Sequence, residues 1–239
     1  MSKEVVLVFL IFCCLSCRNN KLDDTGSLAL NANVPFAIDG LNETRKGDII
    51  IRPNVNFLPG SASVPNGANF GHAAIVTKGF KHNNIDTLLM NTLIIESMAA
   101  NVPQAFQVRE GYALNTAENL IERCVSFSQK FEGNRYLVRP YLSESQVDSV
   151  IAFALNQKGD ISNWNASKRF EGYVENANSN RVCWADNEHW YCSLLVWQSF
   201  LYVTGVDFDV NGGFYVYPND LLLSSLFDNA NDQQRRFRF

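Results

Sequence analysis

The sequence predicts an α+β fold, and three observations carry that reading. Short, strand-like apolar runs crowd residues 47–139, two capped amphipathic stretches lie at 115–131 and 143–155, and one strongly apolar stretch stands at 192–203. The first strand is Gly47-Asp-Ile-Ile-Ile-Arg52, a buried run stopped by Pro53. Residues 53–70 then carry three Pro, two Gly and four Asn, a loop of the length that forms lids or binding segments. His72-Ala-Ala-Ile-Val-Thr77 and Thr92-Leu-Ile-Ile-Glu96 are the second and third strands, and the polar turn Lys81–Asp86 between them suggests a hairpin. Shorter strands are expected at Ala105–Arg109 and Arg135–Arg139.

The helices are signalled by their starts. Asn115-Thr-Ala-Glu118 and Ser143-Glu-Ser-Gln146 read as capping boxes. Behind the first, Leu120, Ile121, Cys124, Phe127 and Phe131 recur at helical spacing; behind the second, Val147, Val150, Ile151, Ala154 and Leu155 do. The run from Cys192 to Val203 is apolar all round, as a buried helix should be, and Gly205 is its natural stop. Pro218-Asn-Asp-Leu-Leu-Leu opens a last short helix, and the basic, aromatic tail Arg235-Arg-Phe-Arg-Phe239 reads as a frayed terminus, with contact to anionic lipid as the alternative.

Composition narrows the class. With 46% hydrophobic and 18% charged residues, 17 Phe, 8 Tyr and 4 Trp, the chain has ample core material and is neither disordered nor a coiled coil. A net charge of -4 argues against nucleic acid as the main partner, since phosphate binding wants a basic face. Lys3, the apolar run Val5–Leu15, Ser16 and Cys17 have the form of a secretory leader too short to span a bilayer. The segment resembles a lipoprotein signal peptide over residues 1–16, with Cys17 as the lipidated residue. Residues 17–33 are then a polar tether and 34–239 the folded domain. The expected location is the cell envelope, anchored by lipid on a periplasmic or outer-membrane face. If Cys13, Cys14 and Cys17 are so accounted for, Cys124, Cys183 and Cys192 remain, an odd number in an exported chain. A Cys124–Cys183 bridge with Cys192 free is one solution, and three reduced thiols another.

Three residues of the right chemical types stand at element ends. Cys192 begins the apolar helix, where free N–H groups and the positive end of the dipole favour a thiolate and an oxyanion. His72 opens a strand behind Gly71, placed to take a proton from that thiol, and Glu96 interrupts an apolar run in the neighbouring strand, placed to orient the imidazole. His189, three residues before Cys192, is the rival base but sits in a polar stretch expected to be an exposed loop. Glu96 has the alternative of a buried ion pair with Arg52 or Arg139. No H-E-x-x-H or phosphate-loop motif points to a metal or nucleotide, the one C-x-x-C spacing, Cys14-Leu-Ser-Cys17, lies in the apolar leader, and no cofactor is expected.

Gly47-Asp48-Ile-Ile, Gly71-His72-Ala-Ala-Ile-Val, Ile94-Ile-Glu96, Tyr191-Cys192-Ser193-Leu-Leu-Val-Trp197 and Val216-Tyr-Pro218-Asn-Asp220 together resemble the YiiX-like group of circularly permuted papain-fold proteins, relatives of the NlpC-type cell-wall amidases. The resemblance covers most of residues 45–227. It implies an antiparallel sheet packed against the buried cysteine-bearing helix, with the histidine strand ahead of the cysteine. It further implies Cys192 as nucleophile, His72 as base and Glu96 as orienting acid. Leu194 departs from the Glu or Ala that often follows the Cys-Ser pair in such proteins.

The function so implied is a membrane-tethered cysteine hydrolase that cleaves an amide bond through a thioester acyl-enzyme. A stem peptide of the cell wall is the first substrate class. A lipid or acyl-amide hydrolase or acyltransferase on the same triad is the second reading, with Phe57, Phe70, Trp184 and Trp190 as candidates to line an apolar pocket. A third reading is a binding module whose Cys192 is unreactive.

Overall fold

The computed structural model describes residues 37–53, 71–98, 107–114, 127, 135–162, 189–209, 216–224 and 235–239. The leader, Cys17 and the tether lie outside these residues. So do nearly all of the long loop, the helix expected behind Asn115, Cys124, Cys183, and three of the pocket candidates, Phe57, Phe70 and Trp184.

A single sheet organises the described chain. Its strands are β1 (Ala37–Asp39), β2 (Ile49–Arg52), β3 (His72–Lys78), β4 (Leu93–Met98), β5 (Gln107–Tyr112), β6 (Tyr136–Val138), β7 (Ile161–Ser162), β8 (His189–Trp190) and β9 (Arg236–Arg238), in the spatial order β1-β9-β6-β2-β3-β4-β5-β7-β8. The helices are α1 (Ile85–Met90), α2 (Glu144–Asn156), α3 (Cys192–Thr204) and α4 (Pro218–Leu223). The α+β class is as expected, but the sheet is mixed rather than antiparallel: β1 pairs parallel to β9 and β7 parallel to β8.

The period of two in the central strands divides the core into two layers. Ile49 and Ile51, Ala73 and Ile75, Ile95, Val108, and Tyr136 and Val138 pack with α2, α3 and α4. Ile50, Ala74 and Val76, Ile94 and Leu137 face the other way, against Leu88 and Leu89 of α1, Ala113 and Phe127. Sheet strands clothed on both faces read as continuous apolar runs, which is why Ile49-Ile-Ile51 and Leu93-Ile-Ile95 show no alternation in the sequence.

Local chemistry fixes the helix ends. Ser143 caps α2 with the reciprocal Gln146 contact of a capping box. Gly205 closes α3 at φ 70°, with its N–H on the Leu201 carbonyl at 2.8 Å. Three expectations need correction. The Lys81–Asp86 turn leads into α1, capped by the Asn84 side chain on the Thr87 N–H at 2.9 Å, so the link between β3 and β4 is no simple hairpin. The tail is not frayed: Arg236–Arg238 inserts as β9 between β1 and β6. There Phe237 and Phe239 lie under the guanidinium groups of Arg139 and Arg135, at 5.2 and 5.1 Å. His189 belongs to β8 and is half-buried, not in an exposed loop. Among the described residues no helix is long and apolar enough to cross a membrane.

Two positions test this architecture. A Cβ on Gly79 would stand 2.1 Å from the Thr44 carbonyl oxygen, a backbone atom tied to Phe80 by its own residue's N–H. Gly79→Ala is therefore expected to destabilise the fold by about 1–3 kcal/mol, read as a lowered urea midpoint at unchanged slope. Arg139 holds the buried Asp48 carboxylate through two bonds of 2.8 Å. Arg139→Met should cost about 3–5 kcal/mol in the same measurement, because it leaves a buried charge without its cation. Asp48→Asn in that background should recover part of the loss.

Candidate active site

The site begins where two neighbouring strands part. The β3–β4 ladder runs from Lys78↔Leu93 to Ile75↔Ile95, while β4 continues alongside β5 through Glu96↔Arg109 to Met98↔Gln107. His72, Ala73 and Ala74 therefore lie beyond the part of β3 that pairs with β4, while still paired with β2 on the other side. Into this opening comes the segment Trp190-Tyr191-Cys192. Ser97 on β4 donates to the Trp190 carbonyl at 3.0 Å, and its hydroxyl is joined to that of Ser162 at 2.7 Å. On the opposite side the backbone N–H of Ala73 in β3 donates to the Cys192 sulfur. The start of α3 is thus moored to both parted strands.

A second clamp holds the same turn from the C-terminal side. The Val216 N–H donates to the Tyr191 hydroxyl at 2.9 Å, and the Ser193 hydroxyl donates to the Val216 carbonyl at 2.7 Å. Asp220 in α4 accepts from the Tyr217 N–H at 2.8 Å and so fixes the segment that supplies Val216. The first backbone bond inside α3 is Leu195 N–H to Tyr191 carbonyl at 3.0 Å. The N–H groups of Cys192, Ser193 and Leu194 accordingly point out of the helix end, beside the thiol.

The three residues singled out in the sequence are brought together. His72 Nε2 lies 2.7 Å from Glu96 Oε2, and the imidazole is also hydrogen-bonded to the Cys192 thiol. With Nε2 occupied by the carboxylate, Nδ1 is the nitrogen left for sulfur. The ring rests on Phe127, centroids 5.3 Å apart. All three groups are nearly sealed from solvent: Glu96 is 1% exposed, Cys192 4% and His72 5%.

Electrostatics inside this cluster favour the charged forms over the neutral ones. Burial alone would push the His72 pKa down, but the hydrogen bonds of the protonated ring to Cys192 and Glu96, and the charges of those groups, outweigh it and raise it to about 9. Burial would push the Cys192 thiol up. The bond and charge of His72, the Ala73 N–H and the Ser193 hydroxyl bring it below the ordinary thiol value instead. Glu96 likewise stays below the usual carboxylate range: burial opposes ionisation, but His72 and Arg109 overcome it. The arrangement suits a thiolate facing an imidazolium, the resting state of a nucleophile that needs no further activation.

The structure also decides between alternatives the sequence left open. The hydrogen bond to the thiol is made by His72, so the rival His189 is not the partner. The arginine paired with Glu96 is Arg109, not Arg52 or Arg139: Arg109 Nε donates to Glu96 Oε1 at 3.0 Å, while Arg139 serves Asp48. Arg109 was not singled out in the sequence. Its one signal is its place beside Val108 in a strand, which sends its side chain to the face opposite the α3 layer. Of the four aromatic residues considered for an apolar pocket, Trp190 alone is among the described residues. It is wholly buried, its indole N–H on Asp160 at 3.0 Å and its ring edge-on to Phe153. No three His, Cys, Asp or Glu side chains among the described residues cluster as a metal site.

One protein of known sequence, the uncharacterized protein YycO of Bacillus subtilis (strain 168), is similar to this chain, with 33% identity over 84 residues. That match spans 35% of this chain and 34% of YycO, about a third of each. No protein-family profile and no solved structure matches the sequence.

Proposed function

We propose that the chain is a cysteine hydrolase that cleaves an amide bond, built on a circularly permuted papain-like fold. The observation that carries this reading is the contiguous buried set Cys192–His72–Glu96, with the thiol at the N-terminus of α3. In the proposed cycle the Cys192 thiolate attacks the carbonyl carbon, and the N–H groups at the helix start stabilise the oxyanion. His72 gives its Nδ1 proton to the departing amine, leaving a thioester on Cys192. Water, deprotonated by the now neutral His72, releases the acyl group and restores the thiolate and imidazolium. Glu96 keeps its charge throughout and holds the imidazole by Nε2.

The leader resembling that of a lipoprotein supports a place in the cell envelope, tethered to a membrane through lipid on Cys17. The resemblance to cell-wall amidases supports a stem peptide as substrate. A binding-module reading has one observation in its favour, the near-complete cover over Cys192.

Turnover separates the readings. Incubated with cell-wall stem peptides and, in parallel, with N-acyl amides, the protein should release an amine and pass through an acyl adduct on Cys192 that mass spectrometry detects. Cys192→Ala should abolish release, and His72→Ala should lower kcat/KM by about 10²–10⁴-fold. Amine release from N-acyl amides alone would move the substrate to the acyl class. No adduct with either class, from a folded protein, would favour the binding module.

The pH profile follows from the same geometry. His72 must be protonated to serve the leaving amine, and its pKa is raised to about 9. Activity should therefore persist into mildly alkaline solution and fall as pH rises through about 9. On the acid side it should fail only where the thiolate is protonated, below the range of a free thiol, because the Cys192 pKa is lowered. A profile of kcat/KM with an acid limb near 8.5 would contradict the ion pair.

A further inference from the structure

We propose that Arg109 is a positioning residue of this site: through Glu96 it determines which ring nitrogen of His72 is offered to the thiol. The inference rests on the reading of Cys192 and His72 as nucleophile and base and extends it to a fourth residue on a third strand. Arg109 and Glu96 are directly opposed in the β4–β5 ladder, and both are buried, Arg109 at 8% exposure. The guanidinium Nε takes Oε1 at 3.0 Å, so the other oxygen, Oε2, is the one turned to His72. Among the described residues, the charged groups acting on Glu96 are His72 and Arg109. Among the same residues, those acting on His72 are Cys192 and Glu96, with Arg52 as its cross-strand neighbour on β2 and Tyr191 preceding the thiol.

The consequence is one of proton placement. An ionised Glu96 only accepts hydrogen bonds, so it requires a proton on Nε2 of His72 and leaves Nδ1 free to take the thiol's. A protonated Glu96 would instead donate to Nε2. A neutral imidazole would then carry its proton on Nδ1, facing Cys192 with a donor where a base is needed. Burial drives Glu96 towards that second state, and the permanent charge of Arg109, which cannot lose its proton, opposes it. A histidine in the place of Arg109 would lose its charge as pH rose; an arginine does not.

The test is the rate of Cys192 alkylation by iodoacetamide as a function of pH, in the full chain, followed by peptide mass spectrometry. This needs no substrate and reads the thiolate directly. In Arg109→Met the titration midpoint should rise by about one pH unit or more, so that labelling well below the midpoint slows roughly tenfold or more. Arg109→Lys, which keeps the charge, should recover most of the shift. In a Glu96→Gln background, Arg109→Met should add no further shift, since the carboxylate it acts through is gone. Should Arg109→Met fail to fold, Arg109→Gln carries the same comparison. A wild-type midpoint near 8.5 would overturn both the catalytic reading and this inference. An activated wild type with an unchanged midpoint in folded Arg109→Met, or an equal shift with and without Glu96, would overturn the role of Arg109 alone.

Discussion

A carboxylate that water barely reaches sets the terms for the centre of this molecule. An unpaired charge at Glu96 would cost several kcal/mol, so both of its oxygens must find donors, and they find them on different strands. Arg109 comes from β5 and His72 from β3, with β4 between. That strand order, and the register Glu96↔Arg109, are therefore tied to the charge as firmly as to the apolar layers on either face. Slipping β4 by one residue would turn Glu96 into the layer under α3 and strip it of both partners. The buried charges make the register at the site unambiguous.

The opening between β3 and β4 is the second organising feature. A regular ladder carried to its end would spend the Ala73 N–H on a neighbouring strand. Because the strands part, that N–H serves sulfur, and Ser97 serves the backbone just ahead of the helix. Few polar groups are wasted in the process, as the near-complete satisfaction of buried backbone in folded proteins requires. Val216 and Asp220 complete the mooring from outside the sheet, which accounts for the value of the Val216–Asp220 segment to the site.

Much of this was legible in the chain. The capping box at Ser143, the stop at Gly205 and the all-round apolarity of Cys192–Val203 are local signals, and each led to the right element. The site residues were legible because their chemistry conflicts with their surroundings: a Glu in Leu93–Met98 and a His opening an apolar strand. What was not legible depends on partners distant in sequence. The tail looked frayed because Arg236–Arg238 alternates charge and aromatic, and only β1, β6 and the guanidinium groups of Arg135 and Arg139 make a strand of it. Arg109 looked like any strand arginine until the ladder set it opposite Glu96. The helix α1 was hidden by its length, with a single turn of apolar residues behind Asn84.

The strand β9 bears on the order in which the molecule is made. It joins residues 236–238 to residues 37–39 and 136–138, so one flank of the sheet is stitched across nearly the whole described chain. During synthesis from the N-terminus, β2, β3 and β4 emerge early, and with them His72 and Glu96. The helix that carries Cys192 begins 120 residues after His72 and 96 after Glu96, and the Val216 clamp and β9 come later still. The strands that carry the imidazole and the carboxylate are thus made well before the segment that carries the thiol. The groups that lower the Cys192 pKa, His72 and the Ala73 N–H among them, act on it only once α3 has docked against β3.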